Sequence, residues 1–269
     1  MEILLIGAFL GILIGTVLAL TGAGGTIVAV PLLMAVLHLT IAEAAPIALF
    51  AVCLSSGVAA ILAHRQGNVR YRAAGFIAIT GIVTAPLGIW LAQRLPNVPL
   101  IILFASVLCY VAINMLRQSK LQQDRANLPP DIASIPCQLS YEHGRLIWNW
   151  PCARALALSG AIAGFLSGLL GVGGGFVVIP ALRKATDLPM PSILATALAV
   201  VALVSATGVA AAVFIGSINW PVALPFAAGA LTGMLIGRKI AGQLAASRLQ
   251  QGFAVVLMGV SIWMIVRLF

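Results

Sequence analysis

Two glycine clusters are the residues in this sequence best suited to hold a ligand. One lies in GTVLALTGAGGTIVAVPLL, Gly15 to Leu33, and the other in GFLSGLLGVGGGFVVIPAL, Gly164 to Leu182. In each, a proline (Pro31 or Pro180) follows six residues after the last shared glycine. Glycine tolerates positive φ and lets another group approach the backbone closely. A helix that starts just after such a turn presents free N–H groups and a partial positive charge at its tip, which is chemistry for holding an anion. The candidate residues are Thr21, Gly22, Gly24, Gly25, Thr26 and Pro31 in the first cluster, and Gly171, Gly173, Gly174, Gly175 and Pro180 in the second, with Thr196 as a further hydroxyl. Each proline frees one backbone carbonyl inside its short helix. The competing reading is close helix packing through small residues. It suits Gly11/Gly15 and Gly160/Gly164, four apart on one helix face, better than GAGG and GVGGG, where each glycine weakens a helix by about 1 kcal/mol.

Around these clusters the apolar runs carry no Asp, Glu, Lys or Arg at their centres, although such residues mark most proton and ion paths through membranes. Substrate charge is then met by backbone dipoles and hydroxyls, with Ser55, Ser56, Ser167, Ser205 and Thr207 joining the threonines above. For any one of them, a bond back to its own helix competes with a binding role. Glu43 and Asp187 fall at span ends. Among the four cysteines, Cys53 and Cys109 lie in apolar runs as small core residues, and no C-x-x-C or metal-ligand spacing occurs. Redox and zinc functions are therefore unsupported, and no cofactor is implied. There is no G-x-x-x-x-G-K-[ST] to drive ATP-dependent pumping and no H-E-x-x-H for intramembrane catalysis.

The elements that must position the clusters are membrane spans. Of the 269 residues, 62% are hydrophobic and only 8% charged, with a mean hydropathy of +1.12. Apolar runs recur at Ile3 to Leu20, Ala44 to Ala63, Ala73 to Ala92, Leu100 to Leu116, Ile193 to Ile215, Pro221 to Ile236 and Phe253 to Phe269, against the roughly 20 residues that a spanning helix needs. Met1-Glu2 precedes the first run without a basic residue, so this run reads as a membrane element and not as a cleavable signal. The formal charge of +9 sits in the loops between runs, which points to topology signals and away from nucleic acid.

The chain repeats itself. A shift of 149 residues aligns Gly11 with Gly160, Gly15 with Gly164, Gly22 with Gly171, Gly24 with Gly173, Gly25 with Gly174 and Pro31 with Pro180, and runs without a gap to Leu95 with Leu244. This predicts two equivalent halves, 1–117 and 153–269, joined by a polar linker, 118–152. Basic residues decide their relative orientation. The turn at His64 to Arg72 is basic and its counterpart at Gly216 to Trp220 is not, whereas Arg183 and Lys184 follow the second glycine cluster and nothing basic follows the first. With the linker inside, thirteen of the 15 lysines and arginines face the cytoplasm and only Arg94 and Arg267 face out.

The predicted fold is thus an all-α integral membrane protein of two inverted-topology repeats, about five membrane segments each, with both termini outside. Inversion needs an odd number of crossings per half, so the short apolar piece after each glycine cluster must count. Ile27 to Leu39 reaches about 20 Å as helix and Phe176 to Leu182 about 10 Å, short of a hydrocarbon core of about 30 Å. A Gly-rich broken or re-entrant hairpin therefore opens each half.

At these residues the sequence resembles the TauE/SafE family of sulfite and organosulfur anion transporters. The match is GFLSGLLGVGGGFVVIPAL, then Ala195-Thr196-Ala197-Leu198, then Gly216-Ser217-Ile218-Asn219-Trp220. It extends through both halves, although the first carries Thr21 and Thr26 where Leu170 and Gly175 stand in the second. The resemblance implies movement of small sulfur-containing or carboxylate anions across a bacterial cytoplasmic (inner) membrane. A secondary transporter is the expected function, with the anion and the lipid bilayer as partners and room for a homo-oligomer. An anion channel, a membrane assembly factor and, last, an intramembrane enzyme are the alternatives.

Overall fold

The computed structural model describes residues 2–21, 25–124, 137, 139–140, 145–146, 149–241 and 246–266. Ten α-helices follow one another among them: α1 (Glu2–Thr21), α2 (Ala29–Leu37), α3 (Ile41–Arg65), α4 (Tyr71–Arg94), α5 (Asn97–Asp124), α6 (Trp150–Leu170), α7 (Gly175–Ala185), α8 (Met190–Ile215), α9 (Trp220–Ala241) and α10 (Ala246–Val266). A 3-10 turn, Gly25–Val28, leads into α2, and two short strands, β1 (Leu139–Ser140) and β2 (Arg145–Leu146), pair antiparallel between α5 and α6. Seven of the helices are long and apolar enough to cross a membrane. The protein is an integral membrane protein, as its composition predicts. Large apolar side chains such as Phe9, Ile79, Tyr110 and Phe214 are exposed on its outside, which is where lipid supplies the apolar environment.

The glycine spacing builds the main helix contacts. The most extensive interface is α1 on α9, followed by α4 on α6 and α3 on α8. Gly11 lies against Phe226 and Ala230, and Gly15 against Ala230 and Met234, so α1 and α9 run in the same direction. Gly81 lies against Gly160 and Gly164, and Gly88 against Phe165 and Leu169, so α4 and α6 also run in the same direction. By contrast, Leu49 meets Gly208 while Cys53 meets Ala202, and α3 and α8 are antiparallel. A Cβ at Gly11, Gly15, Gly160 or Gly164 would overlap backbone atoms of the neighbouring helix. These four glycines are packing residues.

The basic turns share one face. Arg238 at the end of α9 donates to Gln66 Oε1 in the turn after α3, at 3.0 Å. Arg70 N–H in the same turn donates to Thr196 Oγ1 near the start of α8, at 3.2 Å. Cys137 N–H donates to the Ala185 carbonyl at the end of α7, at 2.9 Å, which brings the linker to that face too. On the other face Glu43 accepts from both the N–H and the hydroxyl of Thr40, at 2.9 and 2.8 Å, and caps α3.

Three features depart from the expectations. The helix after the second glycine cluster is longer than Phe176 to Leu182, because Arg183 and Lys184 extend it to Ala185; both are good helix formers and favour a helix C-terminus. Cys137 and Cys152 form a disulfide, buried in one core with Leu182, Ala185 and Leu188, a pairing on which the sequence alone is silent. Cys53 and Cys109 are free and only half-buried, not core residues. On either side of the linker, α5 continues to Asp124 and α6 begins at Trp150, with Pro151 in its first turn.

Candidate functional site

The second glycine cluster is not helical. Gly171 ends α6 at φ 73°, Gly173 has φ 70°, and Gly174, at φ 70°, caps the N-terminus of α7. All five residues from Gly171 to Gly175 are buried. Left-handed backbone of this kind is accessible to glycine and costs other residues about 1–2 kcal/mol. Gly171 lies against Ala45, four residues into α3, whereas Gly173 lies between Val52 of α3 and Val201 and Ser205 of α8. Val52 is eleven residues from Ile41, so the segment climbs to a level about 17 Å from that end of α3, near mid-length.

There α7 starts. The Gly174 carbonyl accepts the N–H groups of Val177 and Val178 at 3.1 and 3.3 Å. Those of Gly175 and Phe176 are left to face the tip, where the helix dipole is positive. Ser205 stands beside Gly173, one residue before the α7 N-cap. Its hydroxyl is fully buried, has no hydrogen-bond partner among the described residues, and lies 3.1 Å from where a Cβ on Gly173 would be. A buried hydroxyl left unpaired costs about 1–3 kcal/mol. Ser55, also fully buried and unpartnered, lies on α3 one turn beyond Val52.

The first cluster meets the second. Thr26, fully buried in the 3-10 turn, donates its hydroxyl to the Val172 carbonyl at 2.6 Å. Gly25 packs on the backbone of Val17 and Leu18 in α1 so closely that a Cβ would lie 2.6 Å from the Leu18 nitrogen. Pro31 is buried in α2, and Pro180 is half-buried in α7. Gly22 and Gly24 lie outside the described residues.

Two of the other candidates stand apart from the tips. The Thr21 hydroxyl is bonded back to the Val17 carbonyl at 2.8 Å, within its own helix. Thr196 is fully buried, but it accepts from Arg70 on the basic face, nine residues or about 13 Å along α8 from Ser205. Bonds within the helix also hold Ser56, through the Val52 carbonyl, and Thr207, through that of Val204.

A cavity of about 170 Å³ opens beside this assembly. Its polar rim is Gln66, Asn68 and Arg238, and its apolar lining includes Ala59, Leu194, Leu198 and Leu18, the residue that packs on Gly25. By sequence alone, Arg238 has a topology role only, and Gln66 and Asn68 have none. Their polar type at a turn was the only signal, and most turns carry it.

Comparison with known proteins agrees with this architecture. The family description "Sulfite exporter TauE/SafE" matches residues 7–264. A "Probable membrane transporter protein" of Xylella fastidiosa (strain Temecula1) is 30% identical over 261 residues, covering 96% of this chain and 93% of the relative. In Bacillus subtilis, the "Probable membrane transporter protein YunE" is 26% identical over 86% of both chains, and the "Probable membrane transporter protein YjnA" is 29% identical over 93% of both. No solved structure matches the chain. With a family match over nearly its whole length and relatives of the same extent, this chain is a membrane transporter of the sulfite exporter TauE/SafE family.

Proposed function

We propose that the protein is a secondary carrier of small anions, sulfur oxyanions such as sulfite or sulfonates foremost, working by alternating access between two inverted halves. The observation that carries the reading is the mid-depth tip. A helix N-terminus, three left-handed glycines and a buried serine without a partner among the described residues come together there. Binding is assigned to Gly25, Thr26, Gly173, Gly174, Gly175 and Ser205, with Gly22 and Gly24 keeping the substrate-binding role expected from the sequence, Gly171 shaping the turn, Pro31 and Pro180 the short helices, and Thr21 and Thr196 the approach. The sulfur preference rests on the family and on the donor geometry suited to an oxyanion.

Inversion is supported by helix directions. If α1 points towards the basic face, so does α9; α3 and α4 are joined by a short turn and oppose each other, and α6 follows α4. First, third and fourth elements of one half thus oppose their counterparts in the other. We place the basic face in the cytoplasm, the membrane as the bacterial inner membrane, the linker 118–152 inside and both termini outside. The disulfide argues the other way, since such bonds persist in oxidising compartments. The basic residues outweigh it, because they are spread over several independent turns while the disulfide is one bond that needs an oxidant. Reporter fusions at Asn97, Ser134, Asn219 and the C terminus should report outside, inside, outside and outside; a cytoplasmic C terminus overturns the inverted arrangement.

Function is tested in proteoliposomes by a flux screen of sulfite, sulfonates and small carboxylates. A carrier gives saturable counterflow with one or more of these. Flux that rises linearly with concentration and shows no counterflow would identify a channel, and none at all would remove the anion reading.

A further inference from the structure

The cavity has Gln66 and Arg238 of the basic face in its lining, and the repeat offers a comparison for it. At the far end of the α3–α8 pair, Leu49 Cδ1 lies against Gly208, and Ala45 lies against Gly171. The positions 149 residues away are Leu198 for Leu49, Ala59 for Gly208 and Leu194 for Ala45. All three line the cavity. The same repeat positions are therefore in packing contact at one end and line a cavity at the other. The polar rim obeys the same asymmetry. Gln66, Asn68 and Arg238 have Ile215, Ser217 and Ile89 as their counterparts.

Arg238 is half-buried at that rim. The acceptors it meets among the described residues are the Ala59 carbonyl at 3.4 Å and Gln66 Oε1 at 3.0 Å, both neutral. A guanidinium has five N–H donors and a full charge that neither oxygen offsets. Its planar fork fits two oxygens of one anion, and the attraction is strengthened where the walls are apolar. A residue serving only as a topology signal would need no place on a cavity also lined by Leu18, which packs on Gly25 of the first glycine cluster.

We infer that Arg238 is a substrate-contacting residue, which captures a small oxyanion through two of its oxygens at the basic-face mouth of the cavity before the anion reaches the glycine tips. Gln66 holds the guanidinium in place. This rests on the carrier reading above and adds to it a site on one face alone.

The test is sulfite counterflow in proteoliposomes, read as half-saturation concentration and maximal rate at the basic face. Arg238→Gln should raise half-saturation at least tenfold and leave the maximal rate within about threefold, with Arg238→Lys between it and the wild type. Gln66→Glu, on an exposed turn residue, keeps Arg238 but pairs it with a carboxylate, and should raise half-saturation by a similar factor even if the Arg238 variants fold poorly. Unchanged half-saturation in folded Arg238→Gln or in Gln66→Glu overturns the inference while wild-type counterflow keeps the carrier reading. Absence of saturable sulfite counterflow in the wild type overturns the sulfite reading itself, and this inference with it.

Discussion

Gly173→Ala should fold and lose at least nine-tenths of its anion flux. The added Cβ would meet Val52 Cγ1 at 3.0 Å and Val201 Cγ1 and Ser205 Oγ at 3.1 Å. All three are side-chain atoms, which can yield by a few tenths of an ångström. The positive φ of 70° adds about 1–2 kcal/mol, a cost that a well-packed helical protein tolerates. Function has no such margin, because the methyl group would crowd the Ser205 hydroxyl, 3.1 Å away, one residue before the α7 N-cap. Ser205→Ala separates a binding role from a structural one. Removing a buried hydroxyl that has no partner should leave thermal stability unchanged or raise it, and on the present assignment flux still falls. Melting curves in detergent and counterflow on the same preparations read both quantities. Folded Gly173→Ala with flux within twofold of the wild type would remove the tip from the transport path.

Gly164→Leu should fail for the opposite reason, with loss of the fold. Gly164 faces Gly81 where α4 and α6 cross, and any Cβ there overlaps the Gly81 carbonyl and Cα. Backbone cannot turn aside as a side chain does, so the two helices must separate along the contact that Gly160, Gly164 and Gly168 make with α4. Overpacking of this kind costs about 3 kcal/mol or more, a melting temperature lower by roughly 10 °C in a chain of this size. Gly75, on the same helix α4, is the control. A Cβ there meets nothing within 4 Å, and Gly75→Ala should be neutral or gain up to about 1 kcal/mol from helix propensity. Equal loss of yield and melting temperature in both variants would show that α4 tolerates no side chain added anywhere, and that the Gly81–Gly164 contact is not the reason.

The two substitutions separate two uses of glycine that are legible in sequence to different degrees. Gly11/Gly15 and Gly160/Gly164 are spaced by one helical turn, and helix geometry alone places such pairs on one face. Their partners, Phe226, Ala230 and Gly81, could not be read from local spacing. In the clusters, several glycines within five residues disfavour helix by their backbone entropy, which announces a break before any contact is known.

What the sequence determined by itself follows from local terms. Apolar length and the absence of central charges set the spans, the basic turns set a common face, and the shift of 149 residues predicts a duplication. Tertiary structure decided what depends on distant residues meeting. The Thr26 hydroxyl reaches Val172 across the two halves, Ser205 is left unpaired where Thr207 bonds its own helix, and Cys137 closes on Cys152. Leu49 packs on Gly208, whereas Leu198 and Ala59, the positions 149 residues away, line the cavity beside Arg238. Such contacts join residues far apart in the chain, and local preference along the sequence does not encode them.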